Sequence, residues 1–251
     1  GRCFHRAAMR LLFAADLHYS LEQFDWLLAQ APDFGAVIIG GDLLDLSSAL
    51  DADVQIAIVE KYLDLIRQKT MLVVCSGNHD GDCRNEADES IARWVRAARH
   101  EGLHVDGDSF FIGETLVSVC PWWDGELTRS LIERQLEQDA AKDKSRWIWI
   151  HHAPPLGART CWTGRKFIGD EHLLGWIERF QPGMVFSGHI HNSPFYPEGS
   201  WIDRLGGTWV FNPGRQIGPQ PATIILDLDE MTAEWSSLEG HSVRSLRIAE
   251  G

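Results

Sequence analysis

Side chains able to hold a divalent cation recur at five places in this 251-residue sequence, each directly after an apolar run. Asp16-Leu17-His18 follows the first run, Gly40-Gly41-Asp42-Leu43-Leu44-Asp45 the second and Gly77-Asn78-His79-Asp80 the third. His151-His152-Ala153-Pro154-Pro155 and Gly188-His189-Ile190-His191 follow two later ones. Singly, an Asp-x-His or a Gly-Asp is an ordinary turn or helix cap, and a lone strand-end histidine is a structural one. Five in succession point to a built cation site. Mixed Asp, Asn and His donors suit borderline cations such as Mn, Fe or Zn, whereas carboxylates and carbonyls alone would suit Ca or Mg. The adjacent glycines fit sharp turns and close backbone approach.

Such residues converge only if the strands before them end on one edge. Residues 11–15, 37–39 and 71–75 are continuous apolar runs, the pattern of strands covered on both faces, and 146–150 reads as a further strand. Helical periodicity begins at Leu21 and runs through Phe24, Leu27 and Leu28, and again covers 51–69, 86–99, 126–142 and 169–180. Residues 103–122 read as two strands joined by a turn around Gly113. From Met184 strands dominate: 184–186, 208–211 and 222–228, the last turning at Asp229-Glu230 into 232–238. The alternation predicts an α/β fold, and in open α/β sheets ligands bind at the strands' carboxyl ends. With no repeat, low-complexity tract or linker, residues 10–251 read as one domain behind a short lead-in, 1–9.

Bulk properties narrow the class. A formal net charge of −13 opposes a broad grip on nucleic acid, which needs a basic surface, although bound cations supply positive potential locally. There is no apolar run of the ~18 residues a membrane span needs. The opening Gly1-Arg2-Cys3-Phe4-His5-Arg6 carries charge with no apolar stretch after it, unlike a secretory leader. Five cysteines without a Cys-x-x-Cys pair, two of them (Cys75 and Cys120) in strand-like runs, fit buried thiols and a reducing, cytoplasmic compartment.

The order Asp-x-His, Gly-Asp-x-x-Asp, Gly-Asn-His-Asp, His-x-Pro, Gly-His-x-His resembles the calcineurin-like metallophosphoesterase superfamily. It spans Asp16 to His191, with Asn212-Pro213-Gly214 resembling a further element. The resemblance implies a four-layer α/β/β/α sandwich of two mixed sheets, with a dimetal site at the strand carboxyl ends. It implies that Asp16, His18 and His191 bind one metal, that Asn78, His152 and His189 bind the other, and that Asp42 bridges. The metals would be Mn, Fe or Zn. Two cations about 3.5–4 Å apart activate a hydroxide and clamp an in-line displacement at phosphorus. Neutral imidazoles complete the shells without cancelling the positive charge that the phosphate must feel.

By the same resemblance His79 stabilises phosphoryl oxygens or protonates the leaving alkoxide, and Asp45 orients it. Asp45 also reads as a helix cap before Ser47. Asp80 has a supporting, structural reading. Of His151 and His152 only one can face the metals, since neighbours on a strand point oppositely; the His-x-Pro pattern selects His152. Arg215, following Asn212-Pro213-Gly214, is either a phosphate contact or a surface residue. Trp122, Trp123 and Trp162 are either a stacking rim or packing, and Arg159, Arg165 and Lys166 either meet an anionic leaving group or are solvated.

The expected activity is hydrolysis of a small phosphodiester or phosphomonoester, diesters favoured. A nuclease of the same superfamily and a non-catalytic protein-binding scaffold are the alternatives; charge opposes the first and the full ligand set the second. The roughly 70 residues between Asn78 and His152 leave no room for a large cap domain.

Overall fold

The computed structural model describes residues 10–247, so the expected lead-in lies outside the described residues. In chain order the first elements are β1 (Arg10–Ala14), α1 (Leu21–Gln30), β2 (Ala36–Gly40), α2 (Ala52–Arg67) and β3 (Met71–Cys75). A small hairpin, β4 (Cys83–Arg84) and β5 (Ser90–Ile91), precedes α3 (Arg93–Ala97) and β6 (Leu103–His104). Then come β7 (Ser109–Ile112), β8 (Thr115–Val119), α4 (Glu126–Ala140), β9 (Arg146–Ile150), α5 (Glu171–Phe180) and β10 (Met184–Phe186). The remaining strands are β11 (Ile202–Leu205), β12 (Thr208–Phe211), β13 (Thr223–Asp227), β14 (Thr232–Ser237) and β15 (Gly240–Ser245).

Two mixed sheets face each other. One runs β15-β14-β13-β1-β2-β3-β6 and the other β11-β12-β10-β9-β8-β7. In the first, β1-β2-β3-β6 are parallel and form one side of the sheet, with antiparallel β13, β14 and β15 beyond β1; in the second, a parallel centre β12-β10-β9-β8 is flanked by antiparallel β11 and β7.

Side-chain alternation divides each apolar run between two layers. Leu11, Phe13 and Ala15 enter the layer between the sheets, while Leu12 and Ala14 meet α1 and α2 residues such as Phe24 and Leu63. Ile148 and Ile150 likewise face inward, and Trp147 and Trp149 pack outward with Ile132, Leu136 and Trp176 of α4 and α5. The result is the α/β/β/α sandwich, with both faces of each sheet's centre covered. That explains why the strands read as unbroken apolar runs.

The segment 86–99, expected to be one helix, holds the turn and second strand of the β4–β5 hairpin, followed by only the short α3. Asn85 Oδ1 accepts the amides of Ala87 and Glu89 in a side-chain-closed turn. The Glu89 carboxylate is taken by the start of α4, accepting Leu127 N at 2.6 Å, Thr128 N at 2.9 Å and Thr128 Oγ1 at 2.6 Å. These bonds outcompete helical periodicity. Residues 103–122 hold the expected hairpin, turning between Ile112 and Thr115, but Leu103–His104 joins the other sheet beside β3.

Candidate metal centre

Parallel pairing aligns the strand ends that matter. Ile39 lies beside Ala14, Cys75 beside Gly40 and Phe186 beside Ile150, so five loops leave the sandwich on one edge. β1, β2 and β3 of the first sheet deliver Asp16, His18, Asp42 and Asn78; β9 and β10 of the second deliver His152, His189 and His191. Backbone bonds tie the first loop to the second: Asp16 N to Gly41 O (3.0 Å), His18 N to Asp42 O (2.9 Å) and Tyr19 N to Leu43 O (2.8 Å). Asp16, His18, Tyr19, Asp42 and His189 all have positive φ, between 43° and 64°. Each costs of order 1–3 kcal/mol, and Asp and His are among the residues that tolerate that region best.

The seven expected ligands come together. Ligand atoms of Asp16, His18, Asp42 and His191 lie within 4.8 Å of one another, as do those of Asp42, His152 and His189. Asp42 is common to both groups. Its Oδ2 is 3.7 Å from His18 Nε2 and 3.2 Å from His152 Nε2, while Oδ1 accepts the His79 amide at 2.9 Å. His191 Nε2 is 3.3 Å from Asp16 Oδ1 and 3.1 Å from His18 Nε2. Asn78 Oδ1 accepts from His189 Nδ1 at 2.8 Å.

His152 is oriented from behind. Its Nδ1 bonds the Gly40 carbonyl at 2.7 Å, which turns Nε2 toward Asp42 and Asp16, and Nε2 is buried with no hydrogen-bond partner. A histidine so held is the usual preparation of a metal ligand. His151 faces the other way, its Nε2 3.4 Å from Asp170 Oδ2.

The electrostatics favour a cation. Burial opposes charge on His152, but Asp42 and Asp16 outweigh it and push the imidazole well up. Asp42, also buried, is carried far below the usual carboxylate range by His152. Burial brings His18 down to about 4 against the pull of Asp42 and Asp16, and burial together with His152 does the same to His189. Two neutral imidazoles, two buried carboxylates and an orphaned ring nitrogen fit a pair of borderline divalent cations.

Asp80 holds the loops that carry these groups. Its Oδ1 accepts the amides of Leu43 (2.8 Å) and Leu44 (3.0 Å), and Oδ2 that of Gly77 (2.7 Å). The catalytic candidates stand at the rim: a further group within 4.8 Å joins His18, Asp45 and His79, and the His18 and His79 rings meet edge-on with centroids 4.6 Å apart. Asp45 Oδ1 also accepts from Ser47 N (2.9 Å) and Oγ (2.6 Å), which closes a loop turn; it does not cap a helix as its sequence position suggested, because α2 begins only at Ala52, with Asp51 at its N-cap.

Several expectations sort differently. Arg159 meets no open site: its guanidinium is tied to the carbonyls of Pro197, Glu198 and Gly199. Arg165 and Lys166 are exposed. Trp162 packs on Phe167, with ring centroids 4.7 Å apart. Arg215 donates its amide to His191 O, and its charge is among those acting on His18. Trp122 leans on His189 and His152 at 5.3 and 5.8 Å between centroids. Asp170, which the sequence reading passed over, caps α5 through Oδ1 and holds the Trp123 indole through Oδ2 at 2.9 Å. Its place just after Gly169, where a helical period starts, was the available signal.

Residues 9–193 match the family model described as calcineurin-like phosphoesterase. No curated protein matches the chain in sequence. Among solved structures, TT1561 of Thermus thermophilus superposes with a TM-score of 0.59 at 16% identity, covering 95% of this chain and 99% of that one. A dimetal phosphatase from Danio rerio gives 0.58 at 10% identity, covering 96% and 100%. A purple acid phosphatase from yellow lupin (Lupinus luteus) seeds gives 0.58 at 14% identity, covering 95% of this chain and 51% of that one. At such identities the likeness is one of fold. The family model spans most of the sequence and includes all five ligand-bearing segments, and this chain belongs to the calcineurin-like phosphoesterases.

Proposed function

We propose that the chain hydrolyses a small phosphodiester or phosphomonoester, diesters favoured, by direct attack of a water-derived hydroxide at phosphorus. The observation that carries this reading is Asp42, whose carboxylate is shared by two adjacent donor groups. Asp16, His18 and His191 would hold one cation and Asn78, His152 and His189 the other, with Asp42 between them. When bound, two such cations acidify a water and offset the charge of the phosphate; Mn, Fe and Zn all suit the donors.

The chain's own groups do the rest. Leu46 N donates to His79 Nδ1 (3.4 Å), so the ring proton sits on Nε2. From there it stabilises a phosphoryl oxygen or passes to the departing alkoxide as the P–O bond breaks, a contribution of ~10²–10⁴-fold. Asp45 brings a carboxylate oxygen within 4.8 Å of a nitrogen of that ring and would act on its orientation through charge, since its Oδ1 is bonded to Ser47. Diester preference is supported by the course of residues 79–151, which go into β4–β9, α3 and α4 and leave no separate unit over the site. The charge of −13 disfavours nucleic acid, and the buried thiols of Cys75, Cys120 and Cys161 support a cytoplasmic setting. No helix of the described residues is long and apolar enough to cross a membrane.

The test is paired initial rates on bis-p-nitrophenyl phosphate and p-nitrophenyl phosphate with Mn²⁺, beside metal content and the Asp42→Asn protein. Diester turnover that needs metal and disappears in the variant is expected. Undiminished activity in Asp42→Asn would sink the assignment.

A further inference from the structure

A cleft of about 400 Å³ opens beside the candidate metal centre and shares His189 with it. Trp122, Trp123, Pro154, Ile168 and His172 line it. Its volume lies within the range of small-molecule sites. The walls are held from behind. The Trp123 indole is fixed by its 2.9 Å bond to Asp170, and the Trp122 amide bonds Ser76 Oγ at 3.1 Å. His172 stands edge-on to Trp123, with centroids 5.3 Å apart, and its Nε2 is engaged by Arg129 at 2.9 Å. Gly169 in the lining has no room for a side chain, because a Cβ there would meet the Leu156 backbone. Trp122 links cleft to centre, resting on the rings of both His189 and His152.

Two features of the lining select what fits. Aromatic walls reward a flat π-system, which stacks where a branched alkyl group cannot. The charged residues of the lining are Asp170 and Glu171, both acidic, so an anionic group would enter against like charge. We propose that this cleft receives the organic substituent of the phosphate ester, and that the substituent is an uncharged planar ring of the nucleobase or aryl class. The phosphate half of this inference rests on the phosphoesterase reading; the ring half rests on the cleft alone.

The experiment separates the halves. Affinities of methylphosphonate, cyclohexylphosphonate, phenylphosphonate and 4-carboxyphenylphosphonate are measured calorimetrically on Mn²⁺-loaded protein and on Ile168→Asp, a substitution at a lining residue 43% exposed and thus compatible with folding. The phosphonate is common to all four, so differences report the substituent. Phenylphosphonate is expected to bind about tenfold or more tightly than methylphosphonate. The cyclohexyl compound should gain little, and the added carboxylate should cancel the aryl advantage. In Ile168→Asp the ratio of phenylphosphonate to methylphosphonate affinity should fall to about one, whatever the added charge does to both. Equal phenyl and methyl affinities, or an aryl advantage that survives Ile168→Asp, overturn the proposal. Should no phosphonate bind, the phosphoesterase reading fails, and the ring half is decided by titrating adenine alone. Adenine binding abolished by Ile168→Asp then upholds the cleft, and any other result removes it.

Discussion

Gly41 is the position where a single methyl group should do most harm to the candidate centre. It sits at φ +92°, and a Cβ built there meets the His152 ring, with Cγ at 2.8 Å and Nδ1 closer still. Ordinary contact begins at 3.4 Å, so the ring must retreat by at least 3.4 − 2.8, about 0.6 Å. It cannot pivot freely, because the same Nδ1 is bonded to Gly40 O. Gly41→Ala therefore adds two costs: backbone strain of order 1–3 kcal/mol, and displacement of a ligand whose Nε2 faces Asp42. At roughly 2–4 °C per kcal/mol for a chain of this size, the strain alone lowers Tm by several degrees. Misplacement on the ångström scale costs up to ~10²-fold in rate, so a loss of ~10–100-fold in kcat/KM is expected, with metal content reduced after dialysis. Gly157 supplies the control: φ is +90° and nothing lies within 4 Å of its Cβ position. Gly157→Ala should lose similar stability and keep activity and metal. Calorimetry, elemental analysis and diester kinetics on the two variants decide it. Equal activities, or full metal content in Gly41→Ala, would refute the argument that close backbone approach seats His152.

Three further outcomes are expected. Asp80→Asn leaves an amide facing at least one of the Leu43, Leu44 and Gly77 N–H groups; since a buried unpaired donor costs ~1–3 kcal/mol, denaturant unfolding should show that loss together with slower turnover, and a change below about 0.5 kcal/mol would contradict it. Burial would raise Glu89, but its bonds from Thr128, Asn85 and Leu127 outweigh this and bring it to about 2 from 4.5. Because the folded-state value is the lower one, its stabilisation is full above pH 4.5 and fades as pH falls toward 2; melting curves of wild type and Glu89→Gln should differ at pH 7 and converge near pH 2–3. Removing metal with a chelator should lower Tm and abolish hydrolysis, and Mn²⁺ should restore both, since a ligand held only by the folded chain stabilises it; an unchanged melt after verified metal removal would count against the centre.

What could be read from the sequence was whatever local pattern encodes. The runs at 11–15, 71–75 and 147–150 announced strands covered on both faces because every side chain in them is apolar, and the residues after them announced an edge rich in donors. The spacing of Pro154 from His152, through the family pattern, named the histidine that the structure turns toward Asp42. The segment 86–99 misled because side-chain bonds override its periodicity: Asn85 closes a turn at its start, and Glu89 is engaged by α4, nearly forty residues on. β11 and β15 escaped because their side chains are largely half-buried or exposed, leaving no apolar signature. The left-handed backbone at Asp16, His18, Asp42 and His189, the grip of Asp80 on two loops and the cleft beside Trp123 are products of packing, which periodicity does not carry.

The order of the strands along the chain also has a consequence for synthesis. The second sheet is built wholly from residues 109–211, and the first from 10–104 and 223–245. As the chain leaves a ribosome, β1 finds β2 almost at once, but its other neighbour, β13, emerges only after the entire second sheet. Throughout that interval β1 presents a bare hydrogen-bonding edge of apolar residues, the kind of surface that recruits other chains. His189 and His191 precede β13, so every ligand is already outside the ribosome while that edge is still open. The nascent chain can thus gather its cation donors before its sheet is closed, and a translational pause between residues 191 and 223 would prolong the stage at which it is most prone to aggregate.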